Sequence, residues 1–134
     1  MPSKNSYRDL QKDVRCLKMP KIDTWRNEYS DKDYLIDLEH PEFTCVCPKT
    51  GLPDFANLML QYRPDELCVE LKSLKMYLVS YRDIGIFHEH AVNKILDDFV
   101  KACKPRWAYI KGVFNTRGGI TTTISSEFKG SKVC

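Results

Sequence analysis

No apolar run in this 134-residue chain approaches the roughly 18 residues that a membrane-spanning helix needs, which argues against an integral helical membrane protein. The polar, charged start lacks the apolar core of a secretion signal, so the expected compartment is the cytoplasm. Glycine is scarce, at six residues, and no Gly-x-Gly-x-x-Gly run exists. A dinucleotide would therefore have to bind through side-chain charges and not through a Rossmann phosphate loop. Six cysteines are too few for a disulfide scaffold and are read as thiols. Internal repeats and low-complexity tracts are absent. A strong excess of one charge sign is absent too: the net charge is +3, from 21 Lys and Arg against 18 Asp and Glu. Even that surplus is local, because residues 1–18 hold Lys4, Arg8, Lys12, Arg15 and Lys18 against Asp9 and Asp13. The rest of the chain balances, which disfavours direct binding of nucleic acid.

What is present points to one ordinary domain with a packed core: 43% of residues are hydrophobic and 29% charged. A chain of this length buries only about two thirds of the surface its unfolded form exposes. A deep pocket is then most readily built between subunits. Residues 1–33 are polar and weakly periodic and read as an N-terminal extension, with a catalytic domain over residues 34–134. From Tyr34 the residues alternate, break at Pro41, and resume with Phe43, Cys45 and Cys47 on one face, which predicts a strand with a possible bulge. After the turn at Pro48, Gly51 and Pro53, the segment from Phe55 to Tyr62 alternates again, with Ala56, Leu58, Leu60 and Tyr62 on one side. Leu67 to Leu71 reads as short and extended, and the chain turns helical near Ser73. Val92, Ile95, Leu96, Phe99, Val100 and Cys103 keep the spacing of an amphipathic helix closed by Pro105. Trp107 to Val113 alternates as a third strand, and Ile120, Thr122 and Ile124 begin a fourth. The order predicts an α+β fold, ββααββ, an antiparallel sheet with a helical pair on one face.

Several residue groups could carry chemistry. Cys47 and Asp54 flank a Gly and Pro turn that can fold the carboxyl back toward the sulfur, a thiol nucleophile with a proton carrier. The alternative is a buried inert cysteine and a turn-forming aspartate. Alternation puts Cys45 on the face of Cys47, which would give the site a second thiol. Glu89, between His88 and His90, is either a carboxylate at a helix start or an acceptor for two N–H groups of a purine-like edge, with a histidine available for proton transfer. Zinc on Cys45, Cys47, His88 and His90 fails on spacing, and no metal is expected. Lys72 and Lys75 fall on one helix face, as solvated charges or as a phosphate site joined by Arg117 from the Arg117-Gly118-Gly119 turn.

Together the run from Phe43 to Phe55, the segment from Glu70 to Tyr77, the Phe87-His88-Glu89 triplet and Thr116-Arg117-Gly118-Gly119 resemble the short, single-domain 7-cyano-7-deazaguanine reductases. These are NADPH-dependent nitrile reductases of queuosine biosynthesis in the tunnelling-fold superfamily. The resemblance spans residues 34–128 and implies that Cys47 forms a thioimide with the nitrile carbon, that Asp54 is the proton donor, and that His88 takes part beside it. It places Glu89 and His88 on the purine-like edge of a small deazapurine substrate, with Val69, Glu70 and Leu71 as the other wall. Glu70, Leu71, Lys72, Ser73, Lys75 and Tyr77 match the family's cofactor motif, Leu71 being a variant at its position, and Lys72, Lys75 and Arg117 would meet NADPH phosphates. The resemblance also implies a homo-oligomer, commonly a decamer of two stacked pentamers, with sheets closing into a barrel and sites at subunit boundaries. Three rivals remain open: a tunnelling-fold amidinotransferase of archaeosine synthesis acting on nitrile-bearing tRNA, which lacks the lysine motif; a zinc-dependent pterin-forming cyclohydrolase on the same fold; and a thiol-rich binding module whose Cys47 is merely buried.

Overall fold

The computed structural model describes residues 14–130. Alternating burial drives a four-stranded antiparallel sheet of β2 (Ile36–Val46), β3 (Pro53–Arg63), β5 (Trp107–Arg117) and β6 (Ile120–Lys129), in the order β2-β3-β5-β6. On β3 every second residue from Asp54 to Tyr62 is buried, the pattern of a sheet with one covered face. β2 runs through Pro41 as one strand, and its register against β3 shifts between His40 and Phe43, so the alternation break is a bulge on an edge strand. The cover is a pair of helices, α1 (Leu71–Val79) and α2 (His88–Cys103), joined through a 3-10 turn at Ser80–Asp83. Val92, Ile95 and Phe99 of α2 are fully buried, and the Phe99 ring meets Tyr62 of β3 edge-on at 4.7 Å between centroids. The contact is close enough to require Gly112 on β5, where a Cβ would stand 3.0 Å from Val92 Cγ2 and 3.2 Å from Leu58 Cδ2. The antiparallel α+β arrangement expected from the residue pattern is thus the observed one.

The segment read as an extension behaves differently. Within it Val14 and Ile22 are buried in the core, and β1 (Thr24–Arg26) pairs antiparallel with β4 (Leu67–Val69) in a separate two-stranded sheet. The Asn27 N–H donates to the Glu66 carbonyl at one end, and the Glu70 N–H to the Asp23 carbonyl at the other, both at 2.8 Å. Arg106 then holds the Ser30 carbonyl through Nη2 at 2.5 Å and the Lys32 carbonyl through Nη1 at 3.1 Å. Three residues of strand carry no readable alternation, which is why this tie was invisible in the sequence. Residues 1–13 lie outside the described residues.

Candidate active site

Hydrogen bonding at the end of β2 builds the site. Cys45 lies opposite Asp54 and Val46 opposite Pro53, and the turn between them closes with the Cys47 N–H on the Leu52 carbonyl and the Gly51 N–H on the Cys47 carbonyl, each 2.8 Å. Gly51 has φ +74°, a left-handed conformation natural to glycine. On its other side Val46 forms a parallel bridge to Gly85: its N–H donates to the Ile84 carbonyl and its carbonyl accepts from the Ile86 N–H, both at 3.0 Å. That bridge delivers the first turn of α2 to the turn that carries Cys47. Asp54, His88, Glu89 and Arg117 accordingly line one cavity of about 170 Å³ with Cys47 and Phe87.

Asp54 is only 8% exposed, yet both carboxylate oxygens are engaged. Oδ2 lies 3.0 Å from His88 Nε2, and Oδ1 accepts from Arg117 Nη1 at 2.7 Å. The His88 ring stacks on Phe114 of β5, with centroids 3.8 Å apart and planes 8° apart, so its orientation is fixed from the sheet. Cys47 stands just beyond the last residue of β2, half-buried. Burial opposes its ionisation. The Thr50 hydroxyl and the N–H groups of Thr50 and Lys49 outweigh burial and the Asp54 charge, holding the thiol below its ordinary range. Cys45 is not a second site thiol: it is fully buried, its Sγ faces the Ile86 carbonyl at 4.0 Å, and burial pushes it up to about 12. Cys45 is not among the residues that line the Cys47 cavity.

The other expected site residues gather elsewhere. Val69 is buried, with its N–H donating to the Tyr62 hydroxyl at 3.0 Å, and Leu71 is exposed. Glu70 is the N-cap of α1; its carboxylate accepts from the N–H groups of Ser73 at 2.8 Å and Lys72 at 3.1 Å, which lowers its pKa. Ser73 Oγ donates to the Glu70 carbonyl and accepts from the Asp23 N–H, each at 2.8 Å, tying the helix start to the β1 segment. Lys72 and Lys75 are exposed. Tyr77 faces the opposite way, into the core, where its hydroxyl donates to Asp98 at 2.5 Å and meets Tyr81 at 2.9 Å. Burial and those neighbours push its phenol strongly up, so Tyr77 anchors α1 and cannot itself meet a surface phosphate. Arg117, expected beside the lysines, is turned onto Asp54 and the Pro53 carbonyl. None of Val69 to Tyr77 lines the Cys47 cavity. Sequence reasoning missed Phe114 and Thr50, whose only signals are an aromatic on β5 and a hydroxyl in the Cys47 turn.

A family model described as QueF-like protein matches residues 53–132. The chain is 56% identical over 112 residues to the NADPH-dependent 7-cyano-7-deazaguanine reductase of Elusimicrobium minutum, covering 84% of each. It is 52% identical over 116 residues to the enzyme of that name from Chloroherpeton thalassium, covering 87% of this chain and all of the relative. The crystal structure of the apo archaeosine synthase QueF-Like superposes with a TM-score of 0.67 at 21% identity, over 73% of this chain and 96% of that one. That likeness shows the tunnelling fold alone.

Proposed function

Because this chain belongs to the NADPH-dependent 7-cyano-7-deazaguanine reductases of the QueF-like family, we infer that it reduces the nitrile of 7-cyano-7-deazaguanine to the 7-aminomethyl group in tRNA queuosine biosynthesis. The observation that carries the reading is the convergence of Cys47, Asp54 and His88 on one cavity. A nitrile is a poor hydride acceptor; bonded to sulfur and protonated on nitrogen, it becomes a better one. In the proposed first step the Cys47 sulfur bonds to the nitrile carbon, one carbon–nitrogen π bond breaks, and the thiol proton reaches nitrogen through Asp54. His88 holds that carboxylate and feeds protons to it. Glu89 accepts from the N–H groups of the purine-like ring. NADPH supplies the hydride for each of two reductions. Cys47 leaves when the carbon–sulfur bond breaks between them.

For the cofactor, the exposed Lys72 and Lys75 on α1, with Ser73 between them, suit phosphates, and neither lysine is held in an ion pair among the described residues. Tyr77 and the Glu70 cap fix that helix. The 170 Å³ cavity is smaller than the roughly 300 Å³ of ordinary ligand pockets. The walls at Val69, Glu70 and Leu71 therefore belong, in this reading, to a neighbouring subunit of a homo-oligomer, a decamer of two stacked pentamers whose sheets join at their edges into a barrel. Among the described residues no helix is long and apolar enough to cross a membrane, in keeping with a cytoplasmic enzyme.

The deciding experiment mixes full-length protein with the free nitrile base. With NADPH, the cofactor is oxidised; without it, the protein gains the mass of one substrate, and Cys47→Ala gains none. Adduct formation without NADPH oxidation would favour the amidinotransferase chemistry instead, and an unmodified wild-type mass would remove Cys47 as nucleophile.

A further inference from the structure

Arg117 is the residue whose place departs furthest from a phosphate-binding role. The β3–β5 register pairs Ala56 with Phe114; carried on, it would set Arg117 opposite Pro53. The guanidinium follows that register inward, donating through Nη1 to Asp54 Oδ1 at 2.7 Å and through Nη2 to the Pro53 carbonyl at 3.2 Å. The strand is able to do this at its very end, where the β5–β6 register shifts between Phe114 and Arg117 and the chain turns back through Gly118 and Gly119, both with positive φ. Two anchors on adjacent residues of one strand fix a planar guanidinium in orientation as well as position.

The consequence falls on Asp54. His88 takes one carboxylate oxygen and Arg117 the other, so the carboxylate has little freedom to rotate away from Cys47. Arg117 also supplies the positive charge that offsets Asp54 as Cys47 ionises. The charged and titratable groups around Cys47 are Asp54 from β3, His88 and Glu89 from α2, Arg117 from β5, and Lys49 and Cys45 from its own turn and strand. Of these, Arg117 is the permanent cation in direct contact with Asp54.

We propose that Arg117 is a positioning residue for Asp54 that acts while the covalent adduct forms, before any cofactor chemistry. The assignment rests on the nitrile-reductase reading, in which Cys47 adds to the nitrile. Without the guanidinium, Asp54 loses its permanent counter-charge and one of its two tethers. The thiolate then forms less readily, and the proton carrier is less often in place.

The test follows adduct formation by mass spectrometry in the absence of NADPH, across pH, with NADP⁺ affinity measured by calorimetry on the same proteins. Arg117→Ala is expected to slow adduct formation by about 10- to 100-fold, less than the roughly 100- to 10,000-fold of losing a proton carrier outright because Asp54 is displaced and not removed, and to move the rising limb of the pH profile to higher pH. Arg117→Lys, which keeps the charge but not the fork, is expected to restore the position of the limb and only part of the rate. NADP⁺ affinity is expected to change by less than about threefold, a direct phosphate contact being worth more. A wild-type rate and limb in Arg117→Ala, together with weakened NADP⁺ binding, would overturn the proposal and return Arg117 to the cofactor. If wild-type protein itself forms no adduct, the nitrile-reductase reading fails and this assignment falls with it.

Discussion

At Cys47 two effects of opposite sign compete. Burial and the Asp54 carboxylate oppose a thiolate, while the Thr50 hydroxyl and the N–H groups of Lys49 and Thr50 stabilise it, and the hydrogen bonds win. A group whose anion is stabilised ionises at lower pH, so adduct formation should rise with pH and level off below the roughly 8.5 of a free thiol. Thr50→Val removes one of the stabilising donors, and with it the hydroxyl's 3.2 Å acceptance from the Leu52 N–H, while keeping the backbone donors of Lys49 and Thr50. It should move the midpoint of that rise to higher pH by a few tenths of a unit to about one unit, the scale of one hydrogen bond, read from the initial rate of adduct formation. A midpoint unchanged in Thr50→Val would mean that the backbone donors alone tune the sulfur. At this scale the sequence brought forward Cys47, Asp54, His88 and Glu89, which line one cavity, and was uninformative about their partners. Cys47 and Asp54 lie seven positions apart around a turn and could be paired by inspection. The His88 stack on Phe114 and the Arg117 contact with Asp54 join residues 26 and 63 positions apart, and no local pattern encodes such a meeting.

At the scale of elements, the periodic segments were legible and the short ones were not. The stripe from Val92 to Cys103 is the buried face of α2, and the alternation from Ala56 to Tyr62 is the covered face of β3. By contrast, α1 begins at Leu71, ahead of the expected change near Ser73, because the Glu70 carboxylate caps it. The same helix separates two roles that the cofactor motif lists side by side. Tyr77 points inward to Asp98 and Tyr81, while Lys72 and Lys75 point out. Spacing of three places the lysines on one exposed face, where either can be removed without opening the core. Lys72→Ala and Lys75→Ala should each raise the KM for NADPH several-fold, about 1 kcal/mol per lost solvent-exposed ion pair, and leave adduct formation at the wild-type rate. In the proposed sequence the adduct precedes cofactor chemistry, so loss of the adduct in both variants would place the lysines in the substrate pocket instead.

At the scale of the whole molecule, the proposed reading has the site shared between chains. The cavity at Cys47 measures about 170 Å³, while Val69, Glu70 and Leu71 sit apart from it, at the junction of β4 and α1. The four-stranded sheet ends on β2 and β6; among the described residues β6 has no strand on its outer side and β2 has only the bridge from Val46 to Gly85, and such open edges invite pairing with another chain. In the proposed ring such sheets join edge to edge, and the α1 side of one subunit faces the Cys47 side of the next. Light scattering should then give a mass near ten chains. Activity per chain should fall steeply once dilution brings the protein below its assembly constant, with adduct formation falling in parallel because the substrate's second wall is lost. A monomer by light scattering that still forms the adduct at full rate would show that one chain builds the whole pocket.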